Sequence, residues 1–302
     1  MDIYTIAAIK HASTVIKGIQ NQSLNPQVAA ILLSGSGEVD AGFAAIGEIR
    51  PELGFGTTAI KTALANLGGI DGIPIAASNF DFWLQKTVTG ALRAGATAHI
   101  KCTPVAGIVV PGAISMPSGG QASMTYNAVF ISADGTASPM AVAASQSLDA
   151  SQGPADEAWT FGGVSLNGTA LAGVDNVSID FGITLWVTAG DGKVYPIHVC
   201  IASRRPVITI STKDIGAFST WGVSGSNWLE GQVQSDSDSV ITLSDMTEGG
   251  VRGSSPITFT VDAGMMFFNA ITGQHGERLG GQVTLLPTWD GTADVIAITG
   301  LT

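Results

Sequence analysis

The sequence predicts a mainly β protein: two tandem homologous antiparallel β-sandwich or barrel units, each with a short flanking α-helix. Three observations predict this fold. Apolar and polar residues alternate along many short segments, which is typical of half-buried strands. Glycine is abundant, with 39 residues, and Asn-Gly and Asp-Gly pairs lie between these segments, as they do in tight β-turns. The chain also resembles itself after a shift of about 155 residues.

The internal repeat aligns residues 16–67 with 171–222 without a gap. Gly37 aligns with Gly192, and "RP" at 50–51 aligns with "RP" at 205–206. Turn glycines, the proline and alternating apolar positions carry the matches. A fixed period of this kind indicates repeated structural units.

A second block extends the repeat, because "GIVVPGAIS" at 107–115 resembles "GMMFFNAIT" at 264–272. Between the two copies lies "QSLDASQGPADE", residues 146–157, which is polar and rich in turn-forming residues. We therefore predict units at residues 1–150 and 151–302, with a shift of about 155 between them.

A hairpin is predicted in the second copy, within "ITLWVTAGDGKVYPIHVCI". Apolar side chains alternate on both sides of Asp191-Gly192, a pair that tolerates the positive φ angles of a hairpin turn. Pro206 limits further pairing, so a new strand is predicted at 207–212. Further strands are predicted by the same alternation, at 121–131, 257–261, 264–271 and 281–287. Turns are predicted at Asn167-Gly168, Asp134-Gly135 and Asp290-Gly291.

A short helix is predicted after this region in each copy. In the first copy Thr57 or Thr58 is the expected N-cap, and Gly68 is the expected stop. The apolar stripe of this helix consists of Ile60, Ala63, Leu64 and Leu67. In the second copy Asp214 is the expected cap, and the inward residues are Ile215, Phe218 and Trp221.

The charge of the chain is acidic and uneven. The net charge is −11, and residues 1–150 contribute −2 while 151–302 contribute −9. An acidic second half argues against tight nucleic-acid binding, which requires Lys and Arg. Charged residues make up only 12%, which suggests either a surface covered by partners or a high content of Gly, Ser and Thr. No secretion signal or membrane span is expected, and Cys102 and Cys200 are expected to be buried or incidental thiols.

The sequence motifs that resemble catalytic or ligand-binding sites are better explained by structural roles. "GFGTTA" at 54–59 resembles a phosphate loop, but the preceding segment is a poor parallel strand. "DSDSVITLSD" at 236–245 lacks the Gly and Glu of a calcium loop and is interpreted as a solvated acidic loop. The four histidines have no metal-ligand spacing, and His275 with Glu277 fits a hairpin tip better than acid–base work. We therefore expect no catalytic, cofactor-binding or metal-binding residues, no cofactor and no enzymatic activity.

Several stretches resemble the tail tube (major tail) proteins of long-tailed, non-contractile bacteriophages, in the variety with a duplicated unit. They are "GVDNVSIDFGITLWVTAGDGKVYPIHVCIASRRPVITISTKD", "LNGTALAGV" and "GGQVTLLPTWDGTADVIAI". The resemblance implies a structural virion protein, assembled in the host cytoplasm. Its partners would be copies of itself in a homotrimeric pseudo-sixfold ring, or alternatively a homohexamer, stacked into a tube. Tape measure and terminator proteins would also bind it, and DNA would pass through without specific binding.

The acidic excess is interpreted as part of this role, since a negative lining would repel the DNA backbone. Four acids are candidates for a lumenal or stacking position: Asp236, Asp238, Asp245 and Glu248. Other classes remain open at this point: another tail component such as a tip, baseplate or decoration protein, a receptor- or glycan-binding adhesin, or a glycan hydrolase.

Overall fold

The structure, a computed structural model, is mainly β. It describes residues 3–37, 39–76, 79–88, 94–149, 151–152, 155–214, 216, 233–236, 238–247, 252–273, 279–291 and 294–302, without the side chains of 233–236. In these residues it contains 24 strands and one helix. Every strand pair that they form is antiparallel. The prediction of a mainly β, antiparallel protein is confirmed.

The first half of the chain contains twelve strands and the helix. In order they are β1 Ile3–His11, β2 Thr14–Ile16, β3 Ile19–Asn25, β4 Val28–Leu33, β5 Phe43–Ile49, β6 Glu52–Thr57, α1 Ile60–Asn66, β7 Ile73–Ile75, β8 Phe80–Thr87, β9 His99–Pro104, β10 Ala106–Pro117, β11 Ser123–Ile131 and β12 Met140–Gln146.

The second half contributes the other twelve strands of the described residues. In order they are β13 Trp159–Leu166, β14 Thr169–Ala170, β15 Val174–Asp180, β16 Ile183–Ala189, β17 Pro196–Arg204, β18 Val207–Thr212, β19 Val233–Asp236, β20 Ser239–Asp245, β21 Ile257–Val261, β22 Gly264–Thr272, β23 Gly280–Pro287 and β24 Ala297–Thr299. The hairpin and the strands predicted at 121–131, 207–212, 257–261, 264–271 and 281–287 are confirmed to within two residues.

The strands form one large sheet, two smaller sheets and two hairpins. One five-stranded sheet has the order β12-β9-β8-β1-β2, and the other has the order β24-β21-β20-β13-β14. The ten-stranded sheet runs β19-β22-β23-β18-β15-β10-β11-β6-β3, with β7 paired to β10. The remaining strands pair as β4–β5 and β16–β17.

The two halves have the same strand order, because each strand of the first half matches the strand twelve places later in the second. The register agrees as well. Ser23 lies opposite Gly54, and Ser178 and Thr209, which lie 155 residues further on, are also opposite each other. We call residues related in this way counterparts. The shift is 155 residues for β3–β6 and 157 residues for β10 and β11.

The core lies between the ten-stranded sheet and the five-stranded sheets. Phe82 of β8 stacks on Phe130 of β11 with ring centroids 6.0 Å apart, so the two layers pack directly. Tyr126 and Phe55 stack at 5.3 Å within the large sheet. Buried residues of both halves form one continuous hydrophobic cluster. This two-layer packing is consistent with a β-sandwich.

The helix α1 forms where the apolar stripe predicts it, but its N-cap differs from the prediction. The cap residue is Ala59, which has no capping side chain, and the Thr57 hydroxyl instead accepts the Ala59 N–H. The carboxylate of Glu157 accepts the N–H groups of Lys61 and Thr62. A side chain from the second half therefore satisfies the open donors of this helix, which local sequence could not reveal.

Two further expectations are corrected or lie outside the described residues. The segment 236–245 is not a solvated loop, because 239–245 forms β20 and buries Ile241 and Leu243. Of the second predicted helix, Ile215, Phe218 and Trp221 lie outside the described residues, as do His275 and Glu277. Cys102 is buried and Cys200 half-buried, and both are free thiols.

Candidate self-assembly interface

The two halves of the chain join through one strand pair of the ten-stranded sheet. The C-terminal part of β10 pairs with β15, with Ala113 opposite Asp180 and Pro117 opposite Asn176. The N-terminal part of β10 pairs with β7 along 107–109. The same edge of β10 therefore pairs with β7 of its own half at one end and with β15 of the other half at the other end.

The counterpart edges are open in the described residues. β22, the counterpart of β10, pairs with β19 through 264–267, while its remaining residues 268–272 have no partner on that edge among the described residues. β3, the counterpart of β15, pairs only with β6 within the same residues. Open strand edges carry unpaired N–H and C=O groups that can bind another strand.

A hairpin from the second half covers the first half. We call the face of the ten-stranded sheet that points away from the core the outer face. Ile183 and Leu185 of β16 line one cavity together with Val110 and Val129 on this face. Both valines are only 3% exposed. The hairpin thus hides an apolar patch that the sheet alone would leave in water.

Backbone hydrogen bonds fix the tip of this hairpin. The Ser132 N–H donates to the Pro196 carbonyl at 2.8 Å, and the Val194 and Tyr195 N–H groups donate to the Gly135 carbonyl. Gly135 has a φ of 74°, which confirms the turn predicted at Asp134-Gly135. The Asp134 carboxylate accepts the N–H groups of Ala137 and Thr136, and these bonds lower its pKa.

The counterpart hairpin β4–β5 has no such cover among the described residues. All six residues of β4, "VAAILL", are exposed, and Leu32 is 67% exposed. Further large apolar side chains are exposed across the hairpin, namely Val28, Ile31, Leu33, Val39, Phe43 and Ile46. An apolar patch of this extent marks an interaction surface.

Charged contacts tie the linker, and also the second half, to the first half of the chain. The Lys10 ammonium lies 2.6 Å from Asp149, and the Lys17 ammonium lies 2.6 Å from Asp156. Hydrogen bonds from these lysines lower the pKa of both carboxyl groups. Arg204 in β17 forms a third contact at 2.6 Å, to Asp71 in the loop after α1.

Apart from the apolar patch at Val110 and Val129 and the counterpart positions in the second half, the outer face of the ten-stranded sheet is polar and poor in charge. Its strands contain no Lys or Arg. Typical outer-face residues are small hydroxyl and amide side chains: Ser23, Asn25, Ser115, Thr125, Asn127, Ser178, Thr209 and Gln282. The acids within these strands are Glu52, Asp175, Asp180 and Asp236.

The acids singled out from the sequence do not come together. Asp245 ends β20 in a five-stranded sheet, and Asp238 lies exposed before that strand. Asp236 ends β19 in the ten-stranded sheet, although its side chain and all of Glu248 lie outside the described residues. Glu52 and Asp180 were not among the acids singled out from the sequence. Their positions in strands of the repeat could have identified them as candidates.

The motif at 54–59 has a structural role. β6 is antiparallel to both β3 and β11, whereas a dinucleotide loop follows a parallel strand. A Cβ at Gly56 would lie 3.1 Å from the Gln20 carbonyl oxygen, so close strand packing explains this glycine. Among the described residues no group of three or more His, Cys, Asp or Glu could hold a metal ion.

Sequence comparisons do not assign the chain to a class. Neither the models of known protein families nor the curated proteins contain a match to it. No helix within the described residues is long and apolar enough to cross a membrane.

Proposed function

We propose that the chain is a structural subunit that assembles with copies of itself into stacked rings, forming the hollow tail tube of a bacteriophage. In this proposal residues 1–150 and 151–302 are homologous units. The observation that carries it is the β10–β15 junction: one unit binds the next inside the chain, while the counterpart edges of the same type have no partner among the described residues.

The internal junction specifies the register between chains. Its pairs Ser115–Ser178 and Ile114–Ile179 have as counterparts Thr272–Ser23 and Ile271–Leu24. β22 of one chain would therefore pair with β3 of its neighbour, and the ten-stranded sheet would continue without a break. Each new backbone hydrogen bond contributes about 0.5–1.5 kcal/mol.

A contact between β22 and β3 is head-to-tail, because the two surfaces differ. Repeated head-to-tail contacts form a ring when the rotation closes. The resemblance to duplicated tail tube proteins favours three chains, which place six units in the ring, and six chains are the alternative. Fusion of two units makes half of the junctions intramolecular and lowers the entropy lost on assembly.

The part of the outer face that the hairpins leave uncovered supplies a suitable lining for a DNA channel. Its strands contain no Lys or Arg, so they offer DNA phosphates no cationic partner and tight nonspecific binding is avoided. Asp180 is an exposed acid in β15 on this face, and its carboxylate would repel the phosphates, whereas Glu52 lies in the cavity beneath β16 and pairs with Arg50 at 2.7 Å. Asp180 therefore replaces Asp238 and Asp245 as the proposed lumenal acid, because their positions do not fit a lining.

Electron microscopy of the purified chain, with light scattering to measure mass, tests the proposal. We expect rings of three chains that stack into tubes with a regular axial repeat. A protein that remains a single chain at high concentration would contradict it, and closed rings that never stack would favour another tail component.

A further inference from the structure

We infer that the apolar hairpin β4–β5 docks onto the second unit of a neighbouring copy of this chain, over an outer-face patch formed by Met265, Phe267 and Leu286. The inference rests on the proposed assembly of copies and adds the surface that carries it. Each of the two partners has a counterpart that already lies against its own partner inside the chain.

The receiving patch is apolar and lacks a cover within the described residues. Phe267 and Leu286 are the counterparts of Val110 and Val129, the two valines beneath β16–β17. Met265 is the counterpart of Ile108 and is 39% exposed. The valines of the first unit are thus buried, whereas in the second unit Met265 is exposed and Phe267 and Leu286 are only half-buried.

The hairpin has the matching chemistry on one face. Val28 and Ala30 are the counterparts of Ile183 and Leu185, which line a cavity together with Val110 and Val129 of the first unit. Alternation along β4 adds Leu32 to the same face, and cross-strand pairing adds Ala44, Ile46 and Ile49. This docking face therefore presents only apolar side chains, and all of them are exposed except Ile49, which is half-buried.

The backbone directs both hairpins in the same way. β15 leads into β16 through Gly182, whose φ is 55°, and β3 leads into β4 through Gln27, whose φ is 41°. Gln27 is the counterpart of Gly182, and a positive φ is uncommon for a residue other than glycine. Once β3 pairs with β22 of a neighbour, the same turn would carry β4–β5 across that neighbour's outer face.

A second copy is the occupant that fits best. The docking would continue the proposed β22–β3 pairing, as β16–β17 continues the β10–β15 pairing. Both surfaces are uncharged and apolar, so burying them leaves no unpaired charge. A different protein would have to reproduce the edge pairing and the patch together.

The test compares two faces of one hairpin. Val28→Asp with Ala30→Asp places charges on the docking face, and Ile31→Asp with Leu33→Asp places them on the opposite face. All four positions are exposed in the single chain, so both variants should fold, which circular dichroism checks. We expect the docking-face variant to need at least a hundredfold higher concentration to form rings, measured by mass photometry. The opposite-face variant should form rings as the wild type does.

A second substitution tests the receiving side. Phe267→Lys in the docking-face variant should restore rings at least tenfold, because the new ammonium would face the new carboxylates. Normal ring formation by the docking-face variant would overturn the inference while leaving the tube proposal intact. Equal losses from the two faces would overturn the assigned face. Absence of assembly in the wild type would instead contradict the proposed function.

Discussion

A cysteine pair placed across the proposed seam between chains tests the register directly. Ser23→Cys and Thr272→Cys in one polypeptide would put a thiol on each open edge, in β3 and β22. Their counterparts Ser178 and Ser115 lie opposite each other inside the chain. The proposal therefore predicts a disulfide between neighbouring chains and none within a chain.

The geometry gives the expected size of the effect. Opposite residues in an antiparallel pair lie about 4.5–5.5 Å apart, inside the range of about 4.4–6.8 Å that a disulfide accepts between Cα atoms. A pair slipped by two residues, Ser23→Cys with Ala270→Cys, lies about 7–8 Å apart. We expect at least about tenfold more cross-linked product from the in-register pair than from the slipped pair.

The assay is a non-reducing gel after mild oxidation, in a Cys200→Ser background. Cys102 can stay, because burial raises its pKa to about 11 and keeps the thiol protonated and unreactive. Ser115→Cys with Ser178→Cys is the matched control and should give a disulfide within a single chain. A fully cross-linked ring has no free ends, so the largest species counts its chains, three or six.

Two results would refute this reasoning. In preparations that contain rings by microscopy, an in-register pair that stays monomeric would show that β3 and β22 do not meet. Equal cross-linking by the slipped pair would show that the two edges meet without the register of the internal junction.

Three further predictions concern stability, each measured as the free energy of unfolding in urea. Glu157→Ala should destabilise the chain by about 2 kcal/mol, because Lys61, Thr62 and the Trp159 indole lose a charged acceptor; an unchanged midpoint would contradict this. Tyr126→Phe should stabilise it by about 1 kcal/mol, because the buried hydroxyl has no hydrogen-bond partner among the described residues; a loss would indicate a partner. Asp149→Asn should cost about 1 kcal/mol at pH 7 and almost nothing near pH 2. The Lys10 contact lowers the pKa of Asp149. The contribution of this contact to the free energy of unfolding is therefore present above the unfolded pKa and is lost as pH falls through the folded pKa. A cost of the substitution that persists at low pH would contradict this.

Alternating residues and turn pairs predicted much of the local structure. The hairpin β16–β17 and the helix α1 follow from period-two and helical patterns, and Gly68 has the positive φ expected of a helix stop. Long-range contacts were not predictable in this way. Nothing near α1 indicates that Glu157 satisfies its first turn, because that contact depends on how the linker folds back.

The candidate interface was only partly visible in the sequence. The repeat predicted matching units, but it did not predict that β10 would pair with β15. The alternation of apolar residues shows which face of a strand is buried and does not show which strand pairs with its edge. The clearest signal was "VAAILL" at 28–33, where the counterpart "ITLWVT" alternates. A strand that is apolar on both faces but lies outside the core requires a cover, and the described part of the single chain does not provide one.

The proposed assembly accounts for the difference between the two hairpins by how each junction would be held. The internal junction has a covalent linker, which keeps its partners together and adds the contacts of Asp149, Asp156 and Glu157. A junction between chains has no linker and must also offset the entropy of association, about 4–15 kcal/mol. Burying a Val or Leu side chain contributes about 1.5–3 kcal/mol, so a few such residues in β4 could supply what the linker supplies inside the chain. In the proposed assembly, the moderately hydrophobic β16 is enough to stabilise the junction that the linker also holds. The strongly hydrophobic β4 is needed to stabilise the junction between chains, which has no linker.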